Sequence, residues 1–159
     1  MGMKTVGIGE WLVSNSTDDI IKTYALGSCV AVIIFDSKVH VAGLIHVALP
    51  ESKIDTARAL AQPGFFADTG LPQMIEEMKD KGASRLNVWV KLAGGASVMD
   101  PGGFFDIGKR NILAVKRVLW KSSLGPVAED TGGTISRTVT FSVADGSVVL
   151  SSGPKSWNI

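Results

Sequence analysis

Three side chains open a route to covalent chemistry: Cys29, the single cysteine of the chain, His46, one of two histidines, and Thr23. Cys29 heads the apolar run Val30-Ala31-Val32-Ile33-Ile34-Phe35, and His46 sits in the β-branched run at 39–47 that returns after Asp36-Ser37-Lys38. If two or four residues centred on Ser37-Lys38 form the hairpin loop, opposed positions sum to 75, which pairs Cys29 with His46. Directly opposed residues share a face of the sheet with Cβ atoms about 4.5–5.5 Å apart. A three-residue loop would put them on opposite faces.

A thiol beside an imidazole is the minimum for nucleophilic catalysis, because the ring takes the thiol proton and later returns it to a leaving group. Imidazolium also favours the thiolate, and a histidine partner lowers a thiol pKa by several units in known cases. Gly27 and Ser28, just before Cys29, form a small, flexible turn whose backbone N–H groups are candidates to hold an oxyanion. Thr23 stands six residues before the thiol, and its hydroxyl is placed to accept the far ring N–H of His46, the orienting task that Asp or Asn performs in other triads. His40 lies on the same expected face but too far along to share the thiol, and is read as structural.

These residues must be carried by a fold of ordinary size. The 159 residues, 45% of them hydrophobic, suffice for a core without cross-links. They are read as a single domain over 1–159, with its core at about 5–150 and a loosely held tail at 151–159. Sixteen Lys and Arg against 15 Asp and Glu exclude a broad basic face for nucleic acid. One cysteine, no secretory leader pattern and no bilayer-length apolar run point to a cytoplasmic protein that is not membrane-embedded.

The pattern predicts a first strand within 5–13, the hairpin at 29–47, a surface loop at 51–64, and a helix carrying Leu71, Met74, Ile75 and Met78. It then predicts a strand at 86–92 and a second helix from Asp106 to about Trp120. Ile112, Val115 and Leu119 face inward on that helix, and Lys109, Arg110, Lys116 and Arg117 outward. A short strand at 127–128 and a hairpin around Ala144-Asp145-Gly146 complete the set. Irregularly mixed strands with two main helices indicate a layered α/β or α+β sandwich.

Two further features have competing meanings. Gly94-Gly95 and Gly132-Gly133 are either tight turns with positive φ or points of close packing under the site. Asp68-Thr69-Gly70 and Asp130-Thr131-Gly132 both spell the aspartic protease signature, whose two carboxylates share a proton. Their flanking sequences are unlike, against the two equivalent loops that chemistry requires.

The segments Thr23-Tyr24-Ala25-Leu26-Gly27-Ser28-Cys29-Val30-Ala31-Val32 and Gly43-Leu44-Ile45-His46-Val47-Ala48-Leu49-Pro50 resemble the chemotaxis receptor glutamine deamidase family, CheD. Phe66-Ala67-Asp68-Thr69, Ala93-Gly94-Gly95-Ala96-Ser97, Ile107-Gly108-Lys109-Arg110-Asn111 and Ala128-Glu129-Asp130-Thr131-Gly132-Gly133 continue the resemblance in the family's order.

The resemblance implies an α/β/β sandwich like that of deamidating toxins, with mixed, largely antiparallel sheets. It implies a cysteine hydrolase that converts glutamines of methyl-accepting chemotaxis receptors to glutamate through a thioester, and that also hydrolyses receptor methyl esters in some members. By that likeness Cys29 is the nucleophile, His46 the general base and acid, and Thr23 the orienting residue. No metal or organic cofactor is required, and the chemotaxis phosphatase CheC is the expected partner beside the receptors. A non-catalytic adaptor that binds receptor or phosphatase is the alternative. The sequence departs from the family pattern at Tyr24 and Ala25 and in the glycine-rich stretch Asp100-Pro101-Gly102-Gly103-Phe104-Phe105.

Overall fold

The computed structural model describes residues 2–97 and 106–159; the glycine-rich stretch at 100–105 lies outside the described residues. The hairpin expected at 29–47 is the centre of the molecule, as strands β4 (Val30–Asp36) and β5 (Val41–Val47), in which every residue is buried. Unbroken burial on both faces requires a layer above and a layer below. One is a second sheet and the other is a pair of helices.

Counting from the amino end, β1 (Gly2–Thr5) and β3 (Asp19–Leu26) belong to the outer sheet, and β2 (Trp11–Ser14) to the central one. The rest of the central sheet is β6 (Val88–Gly94) and β7 (Pro126–Thr131); that of the outer sheet is β8 (Arg137–Ser142), β9 (Val148–Ser152) and β10 (Lys155–Asn158). The orders are β1-β3-β8-β9-β10 and β2-β5-β4-β6-β7. Pairing is antiparallel except for β1 with β3 and β6 with β7.

A short helix α1 (Thr56–Ala61) lies between two 3₁₀ turns in the segment read as a surface loop. The two long helices, α2 (Ala67–Asp80) and α3 (Ile107–Lys121), cover the central sheet. The layers are therefore α/β/β, as expected. Ile21, Ala31, Ile33, Leu44, Phe141 and Leu150 fill the space between the sheets, and Val32, Ile45, Leu71, Met74, Val115 and Leu119 that between sheet and helices. Each such side chain contributes roughly 1.5–3 kcal/mol. In β8, buried and half-buried residues alternate strictly, which is the mark of a sheet with one wet face.

Several elements differ from expectation. The first strand splits in two, because the chain crosses from the outer to the central sheet at 6–10, with Gly9 at φ 77°. The tail expected to be loose is the paired edge strand β10. Trp157 Nε1 donates to Asp130 Oδ2 at 2.7 Å, and Lys91 Nζ donates to the Ile159 carbonyl at 2.7 Å. A polar edge strand carries no periodic apolar signal, and distant partners alone define it. Asp106 sits at the N-cap of α3 with φ 55° and makes no side-chain cap, since the left-handed backbone differs from the extended conformation a capping carboxylate uses.

The hairpin loop is also centred one residue later than predicted. Asp36 pairs with Val41, so the loop is Ser37-Lys38-Val39-His40. The Asp36 carboxylate fixes it. Oδ1 accepts the N–H groups of Lys38 (2.9 Å) and Val39 (3.2 Å), Oδ2 accepts that of Ser84 (2.8 Å), and His40 closes the loop at φ 53°. His40 packs edge-on against Phe35, with Nδ1 3.3 Å from the Val143 carbonyl oxygen, the structural role read for it.

Candidate functional site

The corrected register puts His46 opposite Ala31, and by extension of the ladder Ala48 opposite Cys29. Because the slip is two residues, the parity survives. Cys29 packs with the layer between the sheets, as do Ala31 and Leu44, so the thiol and His46 share that face on a diagonal. Diagonal neighbours lie roughly 7–8 Å apart along the backbone, with side chains able to close the distance.

Thr23 reaches the same layer from the outer sheet. It is fully buried, and its Oγ1 lies 2.7 Å from His46 Nδ1 and 2.7 Å from the Val6 carbonyl oxygen. A hydroxyl has one hydrogen. The Val6 carbonyl can only accept, so the Thr23 hydrogen goes to it, and the contact with Nδ1 is made by the ring's own N–H. The imidazole is thus the Nδ1–H tautomer. Nε2 keeps a free lone pair, and among the described residues this buried atom has no partner.

The crossing segment at 6–10 steadies the same ring through its backbone. Gly9 N–H donates to the His46 carbonyl at 2.8 Å, and His46 N–H donates to that of Glu10 at 3.0 Å. One segment therefore supplies the acceptor for Thr23 and both main-chain partners of His46.

Around the thiol, three successive carbonyls are taken from three places. Gly27 O accepts from Ala96 N–H (2.8 Å), Ser28 O from Asn111 Nδ2 (2.9 Å) and Cys29 O from Gly95 N–H (2.8 Å). Among the described residues the Ser28 N–H has no acceptor, and the Cys29 N–H has none outside its own residue. Gly94, at φ 108°, passes so close that an added Cβ would overlap the Cys29 carbonyl, so close packing under the site and positive φ coincide there. Gly132 and Gly133 both have positive φ and room for a Cβ, and their backbones bond the same segment, Gly132 N–H donating to Gly94 O (2.9 Å) and Ser97 N–H to Gly133 O (2.8 Å).

Burial governs the electrostatics. It pushes the Cys29 thiol up from its ordinary value, opposed in part by the residue's own N–H, and pushes the His46 imidazole down to about 4. Both shifts favour the neutral thiol and the neutral imidazole at pH 7.

The two Asp-Thr-Gly copies do not form a dyad. Asp68, in the first turn of α2, accepts from Ser52 N–H and Oγ–H, both at 2.9 Å. Asp130, on β7, holds Arg137 Nε and Trp157 Nε1, each at 2.7 Å. Glu129 pairs with Lys116 at 2.9 Å.

Asn111 is the site residue that sequence reasoning passed over. It lies on the inward stripe of α3, three and four residues before Ala114 and Val115, and is fully buried. A polar residue on an apolar stripe was the available signal.

The family model described as CheD chemotactic sensory transduction matches residues 48–152. A probable chemoreceptor glutamine deamidase CheD of Syntrophotalea carbinolica is 50% identical over 157 residues, covering 97% of each chain. The chain belongs to the CheD family. Two further CheD relatives are the probable chemoreceptor glutamine deamidases of Syntrophus aciditrophicus and Methanococcus maripaludis. The first is 44% identical over 96% of this chain and 95% of the relative, and the second 40% identical over 93% and 94%. The family model begins after His46, whereas the relatives align along nearly the whole chain.

Among solved structures, the crystal structure of a Neisseria meningitidis protein of the DUF152 family model superposes with a TM-score of 0.53 at 12% identity. It covers 85% of this chain and 65% of that one, and it shares the fold.

Proposed function

We propose that this CheD-family chain is a cysteine hydrolase that deamidates glutamine side chains of methyl-accepting chemotaxis receptors to glutamate. The observation that carries the mechanism is the Thr23 hydroxyl between Val6 O and His46 Nδ1, which leaves Nε2 as the one basic nitrogen on the face that holds Cys29. The names of relatives at 40–50% identity support the substrate.

In the reaction, Nε2 takes the Cys29 proton as sulfur attacks the carboxamide carbon, and the Ser28 and Cys29 N–H groups receive the oxyanion. The Nε2–H then protonates the departing ammonia, leaving a thioester. Nε2 next draws a proton from water, hydroxide adds to the thioester, and glutamate leaves as the thiol is restored. A glutamyl methyl ester would follow the same path with methanol as leaving group. Such a protein works in the cytoplasm, on the cytoplasmic helices of receptors, and the family resemblance adds the phosphatase CheC as a partner. No helix among the described residues is long and apolar enough to cross a membrane.

Mass spectrometry of a receptor fragment incubated with the protein tests the reading. The expected result is exchange of NH₂ for OH at particular glutamines with wild type and none with Cys29→Ala. Deamidation by a folded Cys29→Ala protein, or none by wild type across the cell's receptors, overturns it.

A further inference from the structure

We infer that Asn111 is a positioning residue that aims the Cys29 N–H at the oxyanion, an inference that rests on the cysteine-hydrolase reading above. Asn111 approaches from the helix layer. Both hydrogens of its amide are committed, one to Ser28 O at 2.9 Å and one to Ala48 O at 3.0 Å. Ala48 is the residue that the extended ladder sets opposite Cys29, so one side chain ties together the two strands at the level of the thiol.

The consequence follows from peptide geometry. The Ser28–Cys29 peptide is trans, and in a trans peptide C=O and N–H point in opposite directions. Ser28 O and the Cys29 N–H belong to the same peptide. Drawing that oxygen toward the helices turns the N–H toward the layer between the sheets, where the thiol and His46 lie. Gly95 and Ala96 hold the neighbouring carbonyls, and among the described residues only Asn111 holds this one.

Packing alone does not account for an asparagine at this position. Its Oδ1 is buried with no partner among the described residues, a destabilising condition that an aliphatic side chain would remove. Its neighbours on the stripe, Ala114, Val115 and Val118, are apolar. What an aliphatic side chain cannot do is donate two hydrogen bonds to carbonyls. Aspartate, of the same shape, would present acceptors to acceptors.

The test uses the full chain and a receptor fragment, with Asn111→Leu and Cys29→Ala in parallel. Deamidation kcat and KM are measured beside the rate of Cys29 alkylation by iodoacetamide, a displacement that forms no oxyanion. The expected result for Asn111→Leu is a kcat about 100-fold lower, as for loss of one oxyanion donor, with KM within about threefold and the alkylation rate within about twofold of wild type. A kcat within about threefold of wild type overturns the inference, and so does a parallel fall of kcat and alkylation, which would mean general loosening. If the leucine variant does not fold, Asn111→Ala removes the same hydrogens without added bulk and is read by the same criteria. Deamidation surviving in Cys29→Ala would remove the reading and this inference with it. An inactive Cys29→Ala beside a fully active Asn111→Leu removes this inference alone.

Discussion

The two ends of β4 are organised in opposite senses. At its carboxyl end the Asp36 carboxylate gathers three backbone N–H groups, which fixes the loop. At its amino end three successive carbonyls are gathered onto donors from 95, 96 and 111, and among the described residues the N–H groups of Ser28 and Cys29 have no acceptor in another residue. Six buried residues, Val30 to Phe35, separate the two. Satisfying donors makes an end that is only structure, whereas satisfying acceptors makes an end that can still bind an anion.

Exchanging the sulfur should separate the ends most sharply. Cys29→Ser is expected to lower deamidation at least 10³-fold, about 4 kcal/mol of barrier, with a melting temperature close to wild type. Comparable activity in the serine variant would show that the amino end does not work through its thiol.

Gly94→Ala is next in size. Its Cβ would overlap the Cys29 carbonyl on a backbone at φ 108°, so a loss of about 3 kcal/mol or more in denaturant unfolding is expected, with activity falling as well. Retained stability would mean that the carbonyl there is free to move.

Asp36→Ala should show the reverse of Cys29→Ser. It removes a buried carboxylate from three N–H groups of exposed or half-buried residues and is expected to cost about 1–3 kcal/mol of stability, while the folded fraction deamidates at the wild-type rate. A specific loss of turnover would tie the two ends together and weaken the contrast.

The smallest effect is a pH slope. His46 is held down to about 4 in the folded state against an ordinary 6.5, so between those values the unfolded chain binds more protons. Stability is full above about pH 6.5 and falls by up to about 1.4 kcal/mol per pH unit as pH drops toward 4. Chemical denaturation across that range should show the slope in wild type and lose it in His46→Gln. An equal slope in the variant would place the titration elsewhere.

Much of this was readable before any coordinates. The β4–β5 hairpin and both long helices follow from periodicity, the α/β/β layering from the family resemblance, and the thiol, imidazole and hydroxyl from spacing. The loop centre was misplaced by one residue because a carboxylate with a distant third partner, Ser84, sets it. The residues around Thr23 were missed as a strand because β3 is irregular: it breaks register between Thr23 and Leu26, with Ala25 at φ 54°, and that bulge erases the period-two signal. Asn111 escaped notice because its meaning lies in two carbonyls, one of them 83 residues away.

That separation bears on the order of assembly. The turn at 27–29 takes its shape from β6 and α3, both far along the chain, so it cannot form from its own neighbours early in folding. A chain still being synthesised, or one in which α3 has not docked, carries the sulfur but not the anion cradle. On the proposed mechanism, amidase competence then depends on β6 and α3 having docked on this turn.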